Sequence, residues 1–194
     1  MNNRNKQKSL RREYLEAAAI AIILALFIRT FAIQAFKIPS GSMEPTLLIG
    51  DHLLVNKFIY GIKVPFINMT LIPFGKPKRG DIIVFIYPRD KEKDFIKRVI
   101  GLPGDKLEII DKKIFINDRL FEDHFGVFDE KIHRNEKMGP IVVPPNRFFV
   151  MGDNRDHSSD SRYWGFVPSG LIKGKAIILY WSWPHWKRFG HLIK

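Results

Sequence analysis

The chain has 194 residues, a length that suits one domain of ordinary size together with a tail or an anchor. Its hydrophobic content of 45% allows a real core, and its formal charge of +12 indicates an anionic partner, nucleic acid or acidic lipid, unless the protein is simply soluble and basic. Because the chain has no cysteine, disulfides, thiolate catalysis and cysteine–zinc sites are excluded.

The N-terminal segment is basic, and an apolar segment follows it. The first residues read "MNNRNKQKSLRR", and the uncharged run "AAAIAIILALFI" extends from Ala17 to Ile28. Counted from Tyr14 to Phe36, the apolar segment has 23 positions, with charges only at Glu16 and Arg29. As a helix it would be about 34 Å long at about 1.5 Å per residue, which is enough to cross a bilayer.

Three interpretations of this segment compete: a cleavable secretory signal, a buried core helix and an uncleaved membrane anchor. Ala32 and Ala35 fit the spacing of a signal cleavage site poorly, and the sequence favours the anchor. The basic flank then places the N-terminus in the cytoplasm. We therefore predict a cytoplasmic tail at 1–13, a single membrane anchor at 14–36 and an extracytoplasmic domain at 37–194, on the outer side of a cell membrane.

The remaining residues predict a mainly β domain, an antiparallel, barrel-like sheet preceded by the one transmembrane helix. Short runs rich in β-branched and aromatic residues alternate with turns that contain proline or glycine, and no βαβ pattern occurs. The turn at Asn117–Asp118 predicts a hairpin, and residues 106–146 are a candidate small β insert. The predicted strands lie in 51–60, 81–88, 95–101, 106–118, 147–153 and 175–181, and the predicted turns at 73–80, 101–105 and 138–146.

The sequence gives no sign of a metal or another cofactor. No two of the six histidines have the spacing of a metalloprotease helix, and "DNRDHSSDS" lacks the glycine and the final glutamate of a calcium loop. A serine triad of His157 with Asp153 or Asp160 is conceivable, although the chain has no G-x-S-x-G motif.

Four stretches place polar residues beside apolar strands: "PSGSMEPTLLIGD", "RGDIIVFIYP", "DFIKRVIGLPGD" and "GDNRDHSSDSR". Each could by itself be an ordinary turn. Together, and in this order, they resemble the motifs of type I signal peptidase, a membrane-bound serine protease that removes signal peptides from exported proteins. The resemblance extends from about Ile22 to Trp164. One position departs from it, because His157 stands where the bacterial pattern usually has asparagine.

The resemblance implies that Ser42 is the nucleophile and Lys97 its general base. A lysine accepts a proton only when it is neutral, so its pKa must fall, and burial among apolar neighbours has that effect. Phe95, Ile96, Val99 and Ile100 supply such neighbours. Strand alternation sends Arg98 to the opposite face, where we expect it to be paired outside the core with Asp153 or Asp160.

The same resemblance implies supporting roles for further residues. Ser158 is expected to hydrogen-bond Lys97 and orient it, and Ser40 to hold the oxyanion together with the N–H of Ser42. An extended signal peptide would pair between residues 36–40 and 94–96. The implied substrate-binding residues are Phe36, Ile38, Met43, Asp94 and Ile96, and the structural supports are Arg98, Asp153, Asp160 and Arg162.

The expected partners are signal peptides and the lipid surface, and the expected state is a monomer. The aromatic C-terminus, with Trp181, Trp183 and Trp186, is either an interfacial contact or the end of a core strand. Two rival functions remain open: another Ser–Lys protease of the self-cleaving repressor type, and a non-catalytic basic module that binds lipid or nucleic acid. No nucleic-acid motif is present, so we expect no nucleic-acid partner.

Overall fold

A computed structural model describes residues 10–27, 32–63, 70–72, 74–132, 136–183 and 185–193. Parts of the predicted tail, anchor, insert and 73–80 turn lie outside these ranges. The first element, helix α1, extends from Leu10 to Phe27, and its apolar side chains are largely exposed. None of the helices in the described part of the chain has the length and apolar character that a membrane crossing requires.

Strands make up most of the described chain after α1, which confirms the prediction of a mainly β, antiparallel fold. The strands are β1 (Ile33–Lys37), β2 (Asp51–Asn56), β3 (Ile62–Lys63), β4 (Thr70–Ile72), β5 (Ile82–Ile86), β6 (Asp94–Gly101), β7 (Lys106–Ile110), β8 (Lys113–Ile116), β9 (Arg119–Leu120), β10 (Lys137–Val142), β11 (Arg147–Met151), β12 (Val167–Pro168) and β13 (Ile172–Ser182). A short helix, α2, spans Ser161–Trp164.

The main sheet has seven strands in the order β1-β2-β13-β5-β6-β11-β12, and its neighbours pair antiparallel. Strand β2 shows how the sequence specifies it, because its residues alternate between buried and half-buried side chains as a one-sided strand requires. The strand β6 lies inside the sheet, with β5 on one side from Asp94 to Arg98 and β11 on the other side only from Arg98 onward. The stretch Asp94–Ile96 therefore keeps one edge without a β11 partner.

The strands β7 to β10 form a second sheet in the order β10-β7-β8-β9. Its β8–β9 hairpin turns at Asn117 and Asp118, both with positive φ, as the sequence predicted. A second hairpin turn lies at Asp111–Lys112 and divides the predicted run at 106–118 into β7 and β8. Apolar side chains of both sheets form three buried clusters, one of which contains Ile38, Met43 and Leu47.

Two predictions of local structure are wrong. A continuous helix over 14–36 does not form, because Ile33–Lys37 pairs with β2 as an edge strand and thereby satisfies its backbone groups. The segment 138–146 is not wholly a turn, because Lys137–Val142 is strand β10. Pro140 is tolerated there since β10 is an edge strand whose register shifts between Met138 and Ile141.

Candidate active site

Ser42 lies in a short 3-10 turn, Gly41–Met43, between β1 and β2. The turn is held from below because Met43 and Leu47 are fully buried in the same apolar cluster. It is held from the side by Asn154, whose side-chain amide donates to the Gly41 carbonyl at 3.1 Å and whose N–H donates to the Ser42 carbonyl at 3.2 Å. The Ser42 side chain consequently has a fixed backbone beneath it.

Lys97 reaches the serine from β6, 55 positions later in the chain. Its Nζ donates to Ser42 Oγ at 2.5 Å, and only 4% of the residue is exposed. The strand register places Lys97 opposite Ile83 of β5, while its Nζ lies 5.7 Å from the centre of the Phe95 ring. The two residues that the resemblance implies as nucleophile and base are thus brought into direct contact.

The surroundings of Lys97 favour its neutral form. Burial lowers the pKa of Lys97 to about 8, although the charges of Asp160 and Asp153 act in the opposite direction. No carboxylate lies within ion-pair distance of its Nζ among the described residues. A lysine with this pKa is neutral in about a tenth of the molecules near pH 7, so it can accept the serine proton.

Arg98, the next residue on β6, has different surroundings. Its Nε and Nη2 donate to the two carboxylate oxygens of Asp153 at 2.8 and 2.7 Å, and its guanidinium carbon lies 3.6 Å from the centre of the Phe125 ring. Both side chains of the ion pair are 0% exposed. The predicted pairing with Asp153 therefore forms, but the expectation that it would lie outside the core is wrong, because Phe125 and the neighbouring loop cover it.

Asp160, the other expected partner for Arg98, instead binds Arg162. Both of its carboxylate oxygens accept from the Arg162 guanidinium, at 2.9 and 3.0 Å, and one of them also accepts from the N–H of Gly152 at 3.1 Å. Arg162 further donates to Glu136 at 3.0 Å. These bonds fix the start of α2 against the segment that follows β11, next to the lysine.

Ser158 lies in the predicted place, but the predicted hydrogen bond to Lys97 is absent. The residue is buried, and its Oγ has no hydrogen-bond partner among the described residues. It stands close to Gly152, where a Cβ would collide with both Ser158 Oγ and the Ser42 carbonyl oxygen. Among the described residues, the side-chain hydrogen bond of Lys97 is therefore made to Ser42.

A cavity of about 290 Å³ opens beside the Ser42–Lys97 pair. Three chain segments line it: Pro39, Ser40 and Ser42; Asp94, Phe95, Ile96 and Lys97; His157 and Ser159. Of the expected substrate-binding residues, Asp94 and Ile96 line this cavity directly. Ile38 and Met43 do not, because they are fully buried in the cluster behind it, against which Phe36 and Ile96 pack.

His157 also lines the cavity, but it forms no triad with either predicted aspartate. Its Nε2 lies 3.4 Å from Asp129 Oδ2, whereas Asp153 is bound by Arg98 and Asp160 by Arg162. The serine contacts a lysine instead. The geometry therefore favours the lysine over the histidine as the partner of Ser42.

Sequence reasoning missed two residues that hold the serine turn. Asn154 makes the two bonds described above, and Thr46 Oγ1 donates to Asp153 Oδ2 at 2.6 Å, which connects the turn to the Arg98 ion pair. Both residues lie inside the motifs quoted above, and this position was the one feature of the sequence that could have identified them. Their partners lie more than 100 positions away in the sequence, and no local pattern identifies such partners.

Comparisons with a family model and with known proteins find similarity to signal peptidases. The family model described as signal peptidase, peptidase S26, matches residues 11–181. A signal peptidase I of Pseudomonas fluorescens is 39% identical, with 93% of this chain and 75% of that protein covered, and a signal peptidase I of Aquifex aeolicus is 34% identical, with 89% and 85% covered. A crystal structure of a signal peptidase I from Enterococcus faecalis V583 is 33% identical and covers 52% of this chain and 97% of its own, with a TM-score of 0.46.

Proposed function

The chain belongs to the signal peptidase family, peptidase S26, and from this membership we propose that it cleaves signal peptides from exported preproteins with a Ser42–Lys97 dyad. The family supports serine-protease cleavage of a signal peptide. The observation that carries the assignment of residues is the 2.5 Å contact between Ser42 Oγ and the buried Nζ of Lys97.

In the first half of the reaction, neutral Lys97 takes the proton of Ser42 as Oγ attacks the carbonyl carbon of the scissile peptide bond. A tetrahedral oxyanion forms, and the N–H of Ser42 with the hydroxyl of Ser40, which lines the cavity, is proposed to stabilise it. Protonated Lys97 then gives its proton to the departing amine, the C–N bond breaks, and the signal peptide remains as an ester on Ser42.

In the second half, water replaces the departed amine. Lys97, neutral again after it has protonated the amine, takes a proton from the water as the water oxygen attacks the ester carbonyl. Collapse of the second tetrahedral oxyanion breaks the bond to Oγ, and Lys97 returns the proton to Ser42. One base thus serves both halves, which the low pKa of about 8 supports.

The substrate is proposed to bind as an extended strand. The edge of β6 at Asp94–Ile96 has no β11 partner, so its backbone groups can pair with a peptide. Opposite it lies the segment 36–40, which enters the cavity at Pro39 and Ser40. The side chain of Ile96, packed against the cluster of Ile38 and Met43, leaves an apolar wall that suits small residues before the cleavage point.

We also propose that the apolar part of α1, from Tyr14 to Phe27, attaches the enzyme to a membrane, with the basic N-terminal end on the cytoplasmic side and the catalytic domain on the outer side. The exposed apolar side chains of α1, Ile20, Ile22, Ile23, Leu24 and Leu26, support a lipid environment, because water would solvate such a surface poorly. Ser42 follows β1 after a few residues, so the active site would lie near the attachment point.

The test is a cleavage assay with the full chain in detergent and a preprotein whose signal peptide ends in a small residue. We expect Ser42→Ala and Lys97→Ala each to abolish cleavage at the junction while each variant still unfolds cooperatively. His124→Ala, which changes an exposed histidine outside the cavity, is the control and should cleave normally. Wild-type cleavage by either dyad variant would contradict the proposal.

A further inference from the structure

His157 lies on the cavity wall at the position where the bacterial motif usually has asparagine, and the dyad mechanism does not use it. It follows Asp156 in the short 3-10 turn Arg155–His157, directly after Asn154, which is bonded to the Gly41–Ser42 backbone. The imidazole is therefore carried by a segment whose position is fixed relative to the nucleophile.

The position of His157 on the wall indicates which part of a substrate it would meet. In the proposed function, on which this inference rests, the signal-peptide side of the substrate lies between Pro39–Ser40 and Asp94–Ile96. The scissile carbonyl lies at Ser42. The wall that remains is formed by His157 and Ser159. In this arrangement the residues after the cleavage point would leave the cavity along that wall.

A carboxylate outside the motif holds the ring of His157 in place. Asp129 Oδ2 lies 3.4 Å from Nε2, and the loop that carries Asp129 is tied to the same segment because the N–H of Asp129 donates to Asp156 at 2.9 Å. The N–H of Lys131, followed by His157, lowers the pKa of Asp129, so this carboxylate is ionised. Among the described residues no hydrogen bond is made to the second ring nitrogen, Nδ1.

We propose that His157 is a specificity-determining residue that contacts the first residues after the cleavage point and favours an acidic side chain there when its imidazole is protonated. An asparagine in this place would donate a hydrogen bond but carry no charge, so the preference would not change with pH. The charged groups around the imidazole are Asp129 beside it, Lys97 and Asp94 across the cavity, and the Asp156–Lys112 pair behind it.

The expected preference is modest because these groups partly balance one another. Asp129 already offsets the imidazolium, and Asp94 is neutralised by Lys173 at 2.6 Å. The imidazole is also half exposed, which weakens its attraction for a carboxylate. We therefore expect about a threefold preference for a glutamate over the isosteric glutamine near pH 6.

The experiment is a competition between two otherwise identical preproteins with glutamate or glutamine at the first two positions after the cleavage point. The full chain in detergent should give a glutamate-to-glutamine ratio of kcat/KM of about three near pH 6 and about one near pH 8.5. His157→Asn should give a ratio near one at both pH values. His124→Asn, which alters another exposed histidine–carboxylate pair, should behave as the parent.

A ratio of one in the parent near pH 6, or a preference that persists in His157→Asn, would overturn the inference. Failure of the dyad proposal would look different, because Ser42→Ala or Lys97→Ala would then still cleave the preprotein, whatever the glutamate-to-glutamine ratio of the parent. A second measurement avoids turnover altogether: Ser42→Ala should bind the glutamate peptide about threefold more tightly than the glutamine peptide near pH 6. That difference should vanish when His157→Asn is added, and its persistence would count against the inference.

Discussion

Lys97 and Arg98 are adjacent on β6 and are both almost fully buried, but the protein treats their charges in opposite ways. Arg98 is clamped by both oxygens of Asp153, with Thr46 as a further donor to the same carboxylate. Lys97 meets a serine hydroxyl and an aromatic ring. Strand alternation sends them to opposite faces of the sheet, one towards the cavity and the other towards the loop that carries Phe125.

The difference shows what distinguishes a buried cation that supports a fold from one that serves as a base. A buried charge is costly unless an opposite charge compensates for it. Arg98 has that compensation and remains an ion, since a guanidinium does not lose its proton in proteins. Lys97 has no direct carboxylate partner among the described residues, and its burial lowers its pKa to about 8 and makes proton transfer available.

Replacing Lys97 with arginine would put a permanent cation in the place of the base. This change should cause the largest loss of activity. Lys97→Arg keeps a cation beside Ser42 but offers no neutral base, so we expect kcat/KM to fall by at least about a thousandfold. Steady-state cleavage of a preprotein in detergent measures this. Lys97→Met provides the matched comparison and should be equally inactive. Activity of Lys97→Arg within tenfold of the parent would show that the cation acts electrostatically and not as a base.

The second variant removes Arg98, the buried cation that is paired with a carboxylate. Arg98→Met leaves Asp153 ionised and buried without its partner, so we expect the free energy of unfolding to fall by about 3–5 kcal/mol. Urea unfolding followed by tryptophan fluorescence measures the loss. The double variant Arg98→Met/Asp153→Leu should recover part of it, because the orphaned charge is removed as well. If Arg98→Met alone lost less than about 1 kcal/mol, the buried ion pair would not have the supporting role assigned to it.

The third variant, Lys97→Met, tests how the burial of Lys97 affects the stability of the fold. The folded-state pKa of Lys97, about 8, lies below its ordinary value, so the unfolded chain binds the proton more tightly. The resulting penalty on the folded state is fully present below about pH 8 and disappears as the pH rises towards about 10.5. The free energy of unfolding of Lys97→Met should therefore be about 2–3 kcal/mol higher than that of the parent near pH 7.

Urea unfolding of the parent and of Lys97→Met across this pH range tests the linkage. The gap between the two proteins should narrow as the pH rises, because only the parent gains stability when Lys97 loses its proton. A Lys97→Met protein that is less stable than the parent at pH 7, with a gap that does not change with pH, would mean that Lys97 is not desolvated as the structure indicates.

The strand pattern and the motifs predicted much of this arrangement. Alternating and continuous apolar runs located β2, β5, β6, β11 and β13, and the turn at Asn117–Asp118 gave the β8–β9 hairpin. Proline and glycine led to the wrong prediction of a turn at Lys137–Val142. The segment is an edge strand, which tolerates Pro140 where an inner strand would not. The end of α1 could not be predicted from the apolar run, because the composition of Ile33–Lys37 suits a membrane anchor and an edge strand equally well.

The candidate site was predicted by motif rather than by local physics. No sequence pattern places Lys97 beside Ser42, 55 positions away; β5–β6 pairing and the bonds of Asn154 to the serine turn do so. Residues that act through long-range contacts were therefore the ones missed or misplaced. Asn154 and Thr46 were not identified, Arg98 was expected outside the core, and Ser158 does not bond Lys97.

The most direct test of the comparison is the pH dependence of kcat/KM for preprotein cleavage, because this quantity reports the ionisation of the free enzyme. We expect kcat/KM to fall about tenfold per pH unit below a pKa of about 8 and to level off above it, since only neutral Lys97 can accept the proton of Ser42. A limb near pH 6.5 that disappears in His157→Ala, or one that stays at the ordinary lysine pKa of about 10.4, would contradict Lys97 as the buried base.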